Sequence, residues 1–232
     1  MNVSIRMTVL AVLGILGCPS CSLLSPREDP TRYAVLASVD ELPGAAVHEA
    51  QATQSAVRVG LGPVTLPEYV RRTEIVSRID GTRLVPSATE RWAEPLDRAF
   101  VRVLAIDLQR ALGVGRIVNH PWYESDRPDA QIEIAFSHCE GDESGQIVVA
   151  ARWSVRRLGG AQPPIERESR IERKTTGPGG ASTALALSEA LADLCREIAL
   201  AWPARDGAEG GPSRELRPSE TRPGPGSPSH RP

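Results

Sequence analysis

Four cysteines and four histidines are the residues of this 232-residue chain whose types invite chemistry. Cys18 and Cys21 follow a short apolar run, residues 7–16, which is preceded by six residues carrying one Arg. A run of about ten residues fits the h-region of a signal peptide and falls short of the roughly twenty that a transmembrane helix needs. Ile15-Leu16-Gly17 places an aliphatic residue three positions before Cys18 and a small one directly before it. That pattern resembles a bacterial lipobox, in which the Cys is acylated and becomes the new N-terminus. Cys21 competes for the role behind the poorer approach Cys18-Pro19-Ser20. Residue two of the anchored chain, counting the Cys as one, is Pro19 or Ser22, neither of them Asp, so the usual inner-membrane retention signal is missing.

Cys139 and Cys195 remain after the anchor. In an oxidising periplasm the two can pair. Equally, each lies among apolar residues, where a free Cys behaves as a small core hydrophobe. A metal site is disfavoured, because His138 and Cys139 are neighbours on a predicted strand and point to opposite faces. His48, His120 and His230 have no evident Ser or Cys partner, and no nucleophile elbow, phosphate loop, dinucleotide fingerprint or H-E-x-x-H motif occurs. No cofactor is expected. The acids between Glu140 and Gly145 lack the ordered spacing of a calcium loop and read as a solvated hairpin turn.

The elements that must position these residues are legible from periodicity. Strands are predicted over residues 32–37, 56–62, 74–79, 82–85, 116–119, 130–139, 146–156 and 165–174. Asp80-Gly81 between apolar runs marks a hairpin, since both turn positions favour positive φ. The last strand alternates Glu and Arg, as an edge protected by charge does. One helix is predicted over residues 89–112, with Leu96, Phe100, Val103, Leu104 and Leu108 on one stripe and Gly113 as its stop. In that reading Trp92 and Phe100 begin a core stripe, Pro95 sits in the first turn, and Glu94 and Asp97 complement the positive end of the helix dipole. A second helix spans residues 182–202. Two long helices and mostly antiparallel strands imply one α/β domain, a mixed sheet with both helices packed on one face. The chain divides into a signal peptide with lipobox (1–20), a tether (21–31), the domain (32–202) and a Pro/Gly-rich tail (203–232) too poor in apolar residues to order itself.

A net charge of -2, with 24% charged residues, gives no electrostatic reason to bind nucleic acid.

Two motifs carry a resemblance. Leu66-Pro67-Glu68-Tyr69-Val70-Arg71-Arg72-Thr73-Glu74-Ile75-Val76-Ser77-Arg78 matches L-P-x-Y-x-x-R-x-x-I-V-x-R, and Arg91-Trp92-Ala93-Glu94-Pro95-Leu96 follows. With Gly62-Pro63-Val64, Ala151-Arg152-Trp153 and a Cys-Ser-Leu-Leu-Ser-Pro start, the chain resembles the PqiC-like (YmbA) envelope lipoproteins, also called ABC-type transport auxiliary lipoprotein components. The resemblance runs from about residue 21 to 202, and its register favours Cys21 as the acylated residue. It implies a non-enzymatic outer-membrane lipoprotein facing the periplasm, anchored in outer-membrane lipid. It further implies an MCE-domain transport protein and its inner-membrane permease as partners, and assembly of copies into a ring. Leu66, Pro67, Tyr69, Arg78, Arg91, Trp92, Glu94, Pro95 and Leu96 are then the structural or interface residues.

Overall fold

The computed structural model describes residues 28–43 and 55–202. Cys18, Cys21, His48, His230 and the stretch 203–232 lie outside the described residues. Among the described residues, eight strands and two long helices follow in the order β1 (Arg32–Ala34), β2 (Ser55–Thr65), β3 (Glu74–Ile79), β4 (Arg83–Trp92), α1 (Leu96–Leu112), β5 (Val114–Asn119), β6 (Ala130–Asp142), β7 (Gln146–Arg157), β8 (Ile165–Lys174) and α2 (Gly180–Ala201).

β6 is the axis of one mixed sheet. On one side it pairs along its whole length with antiparallel β7, which pairs in turn with β8 at the edge. On its other side it carries two branches. β2 runs parallel to its first half, Val59 opposite Ala130 through Thr65 opposite Ala135, with β5 outside. β3 runs parallel to its far end, Ser77 opposite Gly141, with β4 and then β1 outside. The chain between β2 and β3, residues 66–73, therefore sits in the fork. Both helices cover one face of this sheet and pack on each other, burying Phe100, Leu104, Leu108, Leu187, Leu191 and Leu194 with Ile132, Ile134 and Trp153.

Local chemistry explains the boundaries. Asp80 and Gly81 both take positive φ, 50° and 71°, and close the β3–β4 hairpin as their pairing predicts. Gly113 takes φ 62° and ends α1 in the left-handed region. Gly60 has no room for a side chain, because a Cβ there would lie 2.8 Å from the Trp122 ring and 2.7 Å from Pro128. The loop after β5 thus packs its His120-Pro121-Trp122 segment onto β2, with the His120 and Trp122 rings edge to face at 5.3 Å.

One boundary differs from the sequence reading. Residues 89–92 belong to β4, not to a helix: the Trp92 N–H donates to the Thr73 carbonyl at 2.7 Å. Pro95 is the N-cap, and a proline disfavours helical backbone at the residue before it, so the helix cannot reach back through Glu94. Trp92 and Phe100 are both buried, 6% and 0% exposed, but from two different elements. The charged strand β8 is an edge, as its alternation predicts.

Candidate functional site at the two-motif corner

The first motif fills the fork in the sheet. Leu66 packs against the core, Pro67 opens a single 3-10 turn at Glu68–Val70, and Val70 is buried. The turn aims Tyr69 across the gap to β6. There a bulge between Phe136 and His138 breaks the ladder with β7. The Tyr69 hydroxyl lies 3.1 Å from the Ser137 carbonyl oxygen and 3.0 Å from Glu140 Oε2, so its one proton serves two acceptors. Burial, and then the Glu140 carboxylate, push the phenol above its ordinary range.

Arg78, at the end of the same motif, closes the network. Its Nε donates to Glu140 Oε1 at 2.7 Å and its Nη1 to the Gly81 carbonyl at 3.0 Å. Its guanidinium carbon stands 5.5 Å from the centre of the Tyr69 ring, within cation–π range. Glu140 also accepts the Cys139 backbone N–H at 2.8 Å. The carboxylate is nearly sealed, with its side chain 3% exposed, yet it has a charged partner and two neutral donors. Glu140 is therefore no part of a solvated turn. The bulge at Ser137 re-aims β6 so that Glu140 enters the fork, and only Asp142, which accepts from Ser144 and Gln146, caps the turn itself.

The second motif forms the facing wall. Arg91 donates to the carbonyls of Ser87, Ala88 and Glu90, which braces the irregular end of β4. Ala93 N–H donates to the Ala34 carbonyl at 2.9 Å, tying β1 to the same corner. Glu94 directly precedes the Pro95 N-cap. It accepts from Arg102 at 2.6 Å, two turns along α1, and Arg102 also donates to the Leu36 carbonyl at 2.9 Å. Leu96 is buried.

Between the two motifs lies an open groove of about 490 Å³. Arg71 and Arg72 stand on one wall, Glu94 and Asp97 on the other, and Trp92, Pro95 and Leu96 line its base. Arg71 pairs with Glu68 at 2.8 Å and Arg72 with Glu74 at 3.0 Å, and each arginine remains about half exposed. Its rim carries both signs of charge. Among the described residues, no group of three or more His, Cys, Asp or Glu could hold a metal ion, and no helix is long and apolar enough to cross a membrane.

The structure does not join Cys139 to Cys195. Both are buried free thiols: Cys139 lies on β6 and Cys195 on α2, where the Asp107 charge reaches it. Desolvation pushes both thiols well up from their ordinary value. His138, beside Cys139, is partly exposed and meets Ser137 Oγ at 3.3 Å.

Sequence reading misses two residues of this frame, Glu140 and Arg102, and, farther along α1, the buried Asp107. Only Asp107 has a signal, an acid set at helical spacing on the apolar stripe after Val103 and Leu104.

A model of the ABC-type transport auxiliary lipoprotein component family matches residues 41–199, a stretch that contains both motifs and the groove. No curated protein matches the chain. Among solved structures, an uncharacterized protein is 19% identical with a TM-score of 0.56, covering 65% of this chain and 95% of its own. Protein XCC0632 from Xanthomonas campestris, of the DUF330 family, is 13% identical with a TM-score of 0.55, covering 72% and 90%. At such identities the likeness is one of fold. The extent of the family match places the chain itself: it belongs to the ABC-type transport auxiliary lipoprotein components.

Proposed function

We propose that this chain is a non-enzymatic outer-membrane lipoprotein, acylated at Cys18 or Cys21, that docks the periplasmic end of an MCE-type lipid transporter and so supports envelope integrity. One observation carries the reading. Residues 71–73 of the first motif and 92–96 of the second wall one surface groove, while Val70, Ile75, Val76, Trp92 and Leu96 anchor both motifs in the core. Trp92, buried, and Tyr69 and Arg78, partly buried, set the groove's frame, while Arg71, Arg72 and Asp97 stand at its rim. A groove rimmed by half-exposed arginines and carboxylates suits a polypeptide surface, where complementary charge fixes orientation.

The partners in this reading are the MCE-domain protein and, through it, the inner-membrane permease. Assembly of copies into a ring enters on the family resemblance. A tether and a stable acyl anchor would raise the effective concentration of the domain at the transporter's end. Gentle solubilisation of envelopes followed by co-purification on this chain tests the reading. Recovery of an MCE-domain protein supports it, and a clean preparation lacking one contradicts it. The rival, a lipid-binding protein or hydrolase acting alone, calls for a deep apolar pocket between the helices. The gap that reaches from α2 to Trp92 and Ile147 measures only about 10 Å³.

A further inference from the structure

The stretch following β1, residues 35–41, crosses both helices as a strap. Its backbone is held there by side chains. Arg102 of α1 donates to the Leu36 carbonyl at 2.9 Å, Ser188 Oγ of α2 accepts the Ala37 N–H at 2.9 Å, and Asp107 Oδ1 of α1 accepts the Val39 N–H at 2.7 Å. Arg110 grips Asp40 with two nitrogens, at 3.0 and 2.8 Å, and a capping box of Ser38 and Glu41 shapes the turn between them. Leu36 is the buried apolar residue of the strap. A segment held through side chains can leave without breaking a helix or a sheet ladder.

Asp107 is the unusual member of this set. It is 2% exposed, and its Oδ2 has no hydrogen-bond partner. The charged groups around it are mostly of its own sign. Asp40 and Glu41 face it from the strap, and from α2 it is met by the Cys195 thiol, with Arg196 acting on that thiol. Its nearby cations are committed elsewhere on α1, Arg110 to Asp40 and Arg102 to Glu94. A buried carboxylate with one neutral donor and acidic neighbours is costly, whereas the neutral acid keeps the Val39 bond and sheds the charge.

We propose that the strap is a releasable latch, held shut when Asp107 is protonated and loosened when it is ionised. The sign follows from the burial, which raises the Asp107 carboxyl from 3.8 to about 6, with Asp40 and Glu41 adding to the rise. The closed latch retains a proton that the open latch gives up across that window. Closure is therefore favoured on the acid side and weakens as pH rises through about 6. Release would free residues 35–41 and lengthen the path between the domain and its attachment. That last consequence rests on the lipoprotein reading proposed above, while the latch does not.

Amide hydrogen exchange of the full acylated chain in detergent, corrected for intrinsic rates, reads the latch directly. Protection at Val39 should fall by about tenfold between pH 5 and 7.5, the part of the shift from 3.8 to about 6 that lies above pH 5. Helix amides should keep theirs. In Asp107→Asn, whose amide oxygen can still accept from Val39, the fall should vanish. In Arg110→Ala, which leaves Asp40 uncompensated, the midpoint should move to higher pH. Constant protection at Val39 in the wild type, an undiminished fall in Asp107→Asn, or an unmoved midpoint in Arg110→Ala each overturns the latch. Absence of acylation, read separately by lipid labelling, would remove only the tether reading.

Discussion

Arg78 and Glu140, sixty-two positions apart, meet at 2.7 Å and join the first family motif to the far end of β6. The carboxylate side chain is 3% exposed and the guanidinium 25%, so the pair is sealed on the acid's side and open on the base's. The Tyr69 hydroxyl completes it. This is what an Arg at the end of that motif does here: it neutralises an acid buried in the fork of the sheet.

Removing one partner should therefore cost far more than removing both. Arg78→Ala leaves a buried uncompensated charge and should destabilise the domain by about 3 kcal/mol, near the lower end for a broken buried pair. The double variant Arg78→Met with Glu140→Gln should recover a good part of that loss. Urea unfolding of the two variants measures the difference, and equal losses would mean that the pair is not energetically coupled.

Phe100 is fully buried and meets Phe136 edge to face, with centroids 4.9 Å apart at 87°. Phe100→Ala should cost about 3–5 kcal/mol, a large share of a domain's margin. Glu94→Gln weakens only its half-exposed pairing with Arg102 and should cost under about 1 kcal/mol. Thermal melts of the two variants check this. A melt of Phe100→Ala superimposable on the wild type would refute the core assignment.

Much of this was open to reading from the chain, and the failures share a cause. The alternation in β7 and β8 and the Asp80-Gly81 turn report local chemistry, so strands and hairpin followed from it. The spacing of Trp92 from Phe100 satisfies a helical stripe, while the Thr73 carbonyl that holds Trp92 in β4 is brought there by tertiary pairing. Alternation alone makes Glu140 a turn acid, because the bulge at Ser137, invisible in it, decides which way β6 faces beyond it. The groove itself needed both motifs and the fork between β2 and β3, a long-range arrangement that no window of sequence contains.

Cys139 and Cys195 should behave as inert thiols. In a variant lacking Cys18 and Cys21, a maleimide should label neither in the native state and both after unfolding in urea, with no reductant needed. Failure to label the unfolded chain until a reductant is added would show a disulfide instead.

The anchor is tested by metabolic labelling with palmitate. The wild type should incorporate it, and the double variant Cys18→Ser with Cys21→Ser should not. The single variants then identify which cysteine carries the chains. Undiminished labelling in the double variant would remove the lipoprotein assignment of these two residues.

A photocrosslinking residue placed at Arg71, on the rim of the groove and clear of the buried network, tests the docking claim most directly. Irradiation of intact envelopes and mass spectrometry of the adducts should identify an MCE-domain protein, with the yield falling when Asp97 on the facing wall is changed to Lys. Adducts containing only phospholipid, or no adduct with an MCE-domain protein from this position, would contradict it.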